Sequence, residues 1–331
     1  MLDIEEYEDV FPEGGYPASL VDSIQESQMQ LGGRTFFERL LELLQIKWRR
    51  IYPPQDEPKL RELHKRIVEA PITLHYKHCL IFYLLKDLAP VFHEQPDLAT
   101  QFAEDVHLEK RFWTFIEGIW ELDHLQFETA VGNLTHPSIL PTFPDEILLA
   151  LLGRRNKMPG SVSARDILPL AYYNCAKPPL VGEHVQTEFA RYMAARNVTE
   201  AYYWIRTRPE HEHHALLEVM VDQTLQRRDR ADYDAHELYP AEDRVMELVG
   251  LPFSEEEDEW IEKFLTEGKG RTFRQAEDTV VMRRIATGRV RDVAREKGHK
   301  GRKYEGVNWE ILRDGMAKGL GPRRDEEAFA V

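Results

Sequence analysis

Two cysteines in 331 residues, Cys79 and Cys175, are too few for a disulfide framework and have no metal-ligand spacing. Both are expected to be buried thiols in a reducing compartment. No Lys or Arg precedes Arg34, so the N-terminus MLDIEEYEDVFPEGG is acidic where a secretory or transit peptide is basic. The longest apolar run, near Cys79 to Leu85, falls far short of the roughly 18–20 residues of a membrane span. The chain is accordingly expected neither to cross a membrane nor to be secreted. There is no G-x-S-x-G elbow, no Gly-rich phosphate loop ending in Lys-Ser or Lys-Thr, and no G-x-G-x-x-G opening a helix. Period-two alternation bounded by hairpin turns is missing as well, which argues against a sheet.

What is present is helical periodicity. Phe112, Phe115, Ile116 and Ile119 recur at i, i+3, i+4 and i+7, and Phe127, Ala130, Val131 and Leu134 repeat that spacing, so each segment carries one apolar stripe. Only Leu122, Asp123 and His124 separate them, a link so short that the two helices must be antiparallel neighbours. Asp123, with Gln126 three residues on, is placed to cap the second helix. Pro137, Pro141 and Pro144 hold the following chain extended, and another helix starts at about Asp145. Thr35 with Glu38, Ser254 with Glu257, and Thr272 with Gln275 mark further helix starts. Prolines at 53, 54, 71, 90, 159, 178, 179, 209, 240 and 252 divide the rest into segments of about 10–20 residues, the usual helix length. The pattern predicts an all-α fold of a dozen or more helices, an irregular α-solenoid of antiparallel pairs without a strict TPR or HEAT period. Such stacks expose long surfaces suited to docking other proteins.

The run WELDHLQFETAVGNLTHPSILPTFPDEIL from Trp120, with DILPLAYYNCAKPPL from Asp166, VTEAYYWIR from Val198, FFERLLELLQIKW from Phe36 and LRELHKRIVEAP from Leu60, resembles the ELYS-like domain, the helical module of a nuclear pore assembly nucleoporin. The resemblance spans roughly residues 36–228 and implies a fungal homologue that is little more than this domain. Animal members add an N-terminal propeller and an AT-hook tail, neither of which this chain is expected to hold. The family implies a non-enzymatic scaffold that attaches to the Y-shaped outer-ring complex, at the arm containing its large propeller-plus-helix subunit. It also implies a place in the nucleus, at pores of the nuclear envelope, and a part in pore assembly and in mRNA and protein transport.

Charge divides the chain into an acidic, flexible arm (1–33), an ELYS-like helical body (34–267) and a basic, partly flexible tail (268–331). The net charge of −15 conceals a net +8 over residues 268–303 and leaves −13 on the body. Within the tail, Arg283, Arg284, Arg289, Arg291, Arg295, Lys297, Lys300, Arg302 and Lys303 form a candidate polyanion- or partner-binding arm, for DNA phosphate, an anionic membrane surface or acidic protein faces. Neither Gly288-Arg289-Val290 nor Gly301-Arg302-Lys303 has the proline of an AT-hook core. Val307, Trp309, Ile311 and Leu312 then make a short amphipathic candidate docking segment. The alternative function these residues support is a chromatin or nucleic-acid binding adaptor.

The cluster Glu210-His211-Glu212-His213-His214 invites a metal reading. Ala215, however, occupies the place that would complete an i, i+4 histidine pair with His211, so a solvated helix start is expected. Tyr172-Tyr173 and Tyr202-Tyr203-Trp204 are expected in the core. No cofactor, metal, catalytic residue or small-molecule substrate is expected.

Overall fold

The computed structural model describes residues 3–92, 97–153, 166–225, 241–273 and 275–289, the side chains of 241–243 excepted. Among the described residues there are sixteen α-helices and no strand, so the all-α reading holds. No described helix is long and apolar enough to cross a membrane. The helices divide into two compact units, one ending at Val181 and the other taking up at Gly182.

The first unit contains α1 (Tyr7–Val10), α2 (Ala18–Gln30), α3 (Phe36–Leu43), α4 (Glu57–Glu69), α5 (Leu74–Phe92), α6 (Leu98–Asp105), α7 (Lys110–Asp123), α8 (Phe127–Leu134), α9 (Pro144–Gly153) and α10 (Leu168–Ala176). Its centre is α5, where every residue from His78 to Leu85 is buried. A helix apolar on all sides needs neighbours on all sides, and α4, α6 and α7 supply them. Helices α5 and α7 run parallel in register, since His75 stacks on Phe112, Phe82 meets Trp113, and Asp87 meets Trp120. Pro90 lies inside the last turn of α5 rather than ending it.

The expected helix hairpin is α7 and α8. They approach closely because Gly118 carries no side chain: a Cβ there would lie 2.7 Å from Leu134 Cγ. Ala130, Val131 and Leu134 are the buried face of α8, whereas Phe127, expected among them, is only half-buried. Three helices in this unit end in Schellman motifs without glycine. After α3, α6 and α7 the left-handed residue is Gln45, His107 or Leu125, and the next amide returns to the carbonyl of Leu41, Ala103 or Glu121.

Residues 3–33, expected to be a flexible arm, are a packed strap. Tyr7, Val10, Phe11, Tyr16, Val21, Ile24 and Leu31 are all buried. Tyr7 and Phe11 stack at 5.3 Å, and both set edges against His64 of α4. The Arg61 guanidinium covers the Tyr7 ring at 4.0 Å and pairs with Glu8. Charge counting misled here because the acids lie on the outer side or pair with α4, while the aromatic residues between them carry the burial.

The second unit contains α11 (Glu183–Arg196), α12 (Val198–Arg206), α13 (Glu210–Leu225), α14 (Ala241–Gly250), α15 (Glu255–Thr266), a 3₁₀ turn (Lys269–Thr272) and α16 (Ala276–Ala286). Sequential neighbours pack together, α11 with α12 and α13, and α14 and α15 each with α16. The capping boxes read at Thr35 and Ser254 are both formed. Thr272 does not cap α16; its hydroxyl donates to the Lys269 carbonyl within the 3₁₀ turn. Helix α16 buries Ala276, Thr279, Val280, Val281 and Arg283, so residues up to 289, assigned to the tail on charge, include a packed part of this unit.

Candidate functional site

The most heavily engineered place in the first unit is a buried polar node. It starts from an elementary need: the first amides of a helix have no intrahelical acceptor. At α3, Thr35 Oγ1 accepts from the Glu38 amide at 3.1 Å. The amides of Phe36 and Phe37 donate instead to the two oxygens of Asp123, at 2.6 and 2.9 Å. Asp123 was expected to cap α8, the helix that follows it; it caps α3, and α8 starts at Gln126 without a side-chain cap. The reason is burial. Asp123 points from the end of α7 into the core, where the positive end of the α3 dipole meets it. Tyr83 also donates to Asp123 at 2.9 Å while stacking on Phe37 at 4.0 Å. In the second unit the same device recurs: Asn197 caps the Glu200 amide of α12, and Glu247 of α14 accepts from Val198 and Thr199.

Beside Asp123 lies Asp87 of α5, 1% exposed. Its Oδ1 accepts from Trp120 Nε1 at 2.8 Å and lies 3.5 Å from His124 Nε2. Its Oδ2 accepts from Tyr16 Oη at 2.9 Å. Burial pushes both carboxyls up to about 7, outweighing the hydrogen bonds that favour the ionised forms. Burial likewise holds His124 below its ordinary value. The arrangement ties the strap, α3, α5 and α7 together and can store a proton. Reading the sequence missed Asp87, although an acid within the apolar run IFYLLKDLAPVF is the signal that marks it.

The sequence-predicted polyanion arm separates into two parts. Arg283 is buried in α16, not free: Nε donates to Asp258 Oδ1 at 2.8 Å and Nη1 to the carbonyls of Val249 and Leu251. It thus satisfies carbonyls at the end of α14, and its guanidinium covers Phe253 at 4.9 Å. Arg284 and Arg289 both pair with Glu262. Burial works to raise the Glu262 carboxyl, but the two arginines prevail and hold it below its usual range. These three cations, predicted for a polyanion, are therefore engaged by α14 and α15. Arg291, Arg295, Lys297, Lys300, Arg302 and Lys303, and the segment Val307, Trp309, Ile311 and Leu312, lie outside the described residues.

The histidine cluster opens α13 with each ring differently used. His211 is exposed, His213 Nε2 lies 2.7 Å from the Arg208 carbonyl, and His214 sets its edge on Trp260 at 4.6 Å. Among the described residues no three His, Cys, Asp or Glu side chains are gathered as a metal site. Tyr172, Tyr202 and Trp204 are buried, and Tyr203 is exposed. Cys79 is buried as expected, but Cys175, near the end of α10, is exposed.

A family model described as nuclear pore complex assembly, ELYS, matches residues 34–268. The chain is also similar to "uncharacterized protein ely5" of Schizosaccharomyces pombe, 30% identical over 139 residues, which are 41% of this chain and 44% of that protein. The match thus spans less than half of that relative's length.

Proposed function

The chain belongs to the ELYS family of nuclear pore complex assembly, and from that premise we propose that it is a non-enzymatic scaffold nucleoporin that docks onto the Y-shaped outer-ring complex. The partner we propose is the large propeller-plus-helix subunit of the Y arm, and the setting is the nuclear pore. There the protein supports pore assembly and the transport of mRNA and protein. The observation that carries this reading is the extent of the family match, which runs from the start of α3 to beyond α15. A reading that rested on one short motif would have no such support. An irregular solenoid of helix pairs, which we propose as part of this reading, would dock through side and end surfaces rather than enclose a small substrate.

The test is affinity purification of the full chain from nuclear envelope extract at moderate salt. Outer-ring nucleoporins are the expected recovery. Recovery of histones or nucleic acid alone would overturn the proposal in favour of an adaptor acting through its basic tail. The internal pairing of Arg283, Arg284 and Arg289 leaves that alternative fewer cations than the sequence suggested.

A further inference from the structure

The node around Asp87 has an unusual hydrogen-bond count. A tyrosine hydroxyl donates once, yet Tyr16 Oη lies within reach of two acceptors, Asp87 Oδ2 at 2.9 Å and the Leu84 carbonyl at 3.3 Å. With Asp87 ionised, the Tyr16 proton goes to Oδ2. With Asp87 protonated on Oδ2, the carboxyl donates to Tyr16 Oη and the Tyr16 proton turns to Leu84. Both arrangements are satisfied without moving a heavy atom.

The other side of Asp87 has a matching ambiguity. His124 Nδ1 lies 2.8 Å from the Trp120 carbonyl, which only accepts, so Nδ1 carries a hydrogen. In a neutral ring Nε2 then presents a lone pair toward Asp87 Oδ1 at 3.5 Å. A proton on either group relieves that opposition. Among the described residues no Lys or Arg is in hydrogen-bonding contact with Asp87. The strap contributes Tyr16, the loop after α3 Tyr52, α3 Glu38, α5 Tyr83, and α7 Trp120 and Asp123. Lys86 turns instead to Glu117 at 2.6 Å.

We propose that Asp87, Tyr16 and His124 form a proton-controlled latch that fastens the N-terminal strap over α4, α5 and α7. The strap covers Asp87, so closing it removes the carboxylate from water, and the protonated node tolerates that burial better than a pair of ionised aspartates. The Tyr16 bond favours the ionised form, but burial outweighs it, as the upward displacement of Asp87 to about 7 indicates. A closed strap therefore binds a proton that an open one releases, and by linkage protonation closes it. Access to the covered faces becomes a function of pH on the acid side of about 7, between the ordinary carboxyl value of 3.8 and the raised one. His124 works in the opposite direction at lower pH, because its buried ring resists protonation.

Hydrogen exchange of the strap amides 7–31 in the full chain, between pH 5 and 8.5 and normalised to amides of α11–α13, tests the latch. Opening of the strap is expected to rise by up to about tenfold per pH unit as the pH climbs to about 7, where the closed node gives up its proton, and to level off above it. Asp87→Asn, which holds no titrating proton, should flatten that rise. Tyr16→Phe should raise opening several-fold at every pH, since it unties the strap while leaving the carboxyl. A flat profile in the wild-type chain, a slope unchanged in Asp87→Asn, or strap protection unchanged in Tyr16→Phe would each overturn the proposal. If Asp87→Asn does not fold, the wild-type profile and Tyr16→Phe decide it.

Discussion

Replacing Asp123 by alanine removes the acceptor of three buried donors together, the amides of Phe36 and Phe37 and the hydroxyl of Tyr83. Each buried donor left unpaired costs roughly 1–3 kcal/mol. The substitution also removes a carboxylate whose burial is itself unfavourable, and a water entering the vacated space can serve one donor. The expected net loss is about 3–5 kcal/mol, the range for breaking a buried polar network by deleting one partner. Asp123→Asn keeps one acceptor oxygen and should lose about 1–2 kcal/mol. Gln126→Ala, at the exposed start of α8, should change stability by less than about 0.5 kcal/mol. Urea unfolding followed by circular dichroism at pH 7 provides the comparison. If Asp123→Ala lost less than about 1 kcal/mol, or no more than Gln126→Ala, the assignment of Asp123 to α3 would be refuted.

The same residue predicts a pH dependence. Its carboxyl stands at about 7 in the folded chain against an ordinary 3.8, so between those values the folded state holds a proton that the unfolded state has released. That contribution to stability is full below about pH 4 and is lost as pH rises through about 7. Asparagine has no such proton. The stability of the wild-type chain relative to Asp123→Asn should therefore fall across this window, by at most about 1.4 kcal/mol per pH unit.

Three further outcomes follow from the packing. Arg283→Ala should cost about 3–5 kcal/mol in the same unfolding assay, because it strands Asp258 and the carbonyls of Val249 and Leu251; a loss below about 1 kcal/mol would return Arg283 to the solvated tail. Gly118→Val should destabilise by about 1–3 kcal/mol, since α7 and α8 must part to admit the side chain, and an unchanged melting temperature would contradict the close approach. Gln45→Gly should instead stabilise by about 1 kcal/mol, because Gln45 holds a φ of 59° at the end of α3 that glycine adopts without strain; a thermal melt shifted downward would contradict that.

Two helix starts were legible in the sequence because their caps are local, although the same spacing at Thr272 and Gln275 forms no cap. Thr35 and Ser254 announce theirs because the donor and acceptor lie three residues apart on one turn. Helix ends were less legible, since Gln45, His107 and Leu125 occupy left-handed positions that glycine usually marks. The strap was misread for a related reason: eight acids in 33 residues dominate its composition, whereas Tyr7, Phe11 and Tyr16 decide its energy.

What the sequence by itself determined was the class of structure and the family: apolar stripes at helical spacing, proline breaks, local capping boxes and the spaced residues of the ELYS resemblance. Those are properties of neighbours along the chain, so they can be read along it. Only the tertiary structure decided that Asp123 serves a helix 86 residues away in sequence, that Glu247 does the same for α12, and that Arg283 closes a buried corner instead of reaching for a polyanion. A carboxylate or guanidinium carries the same charge wherever it stands. Its role depends on which unsatisfied donors and acceptors the fold brings within about 3 Å and on how much water it excludes there.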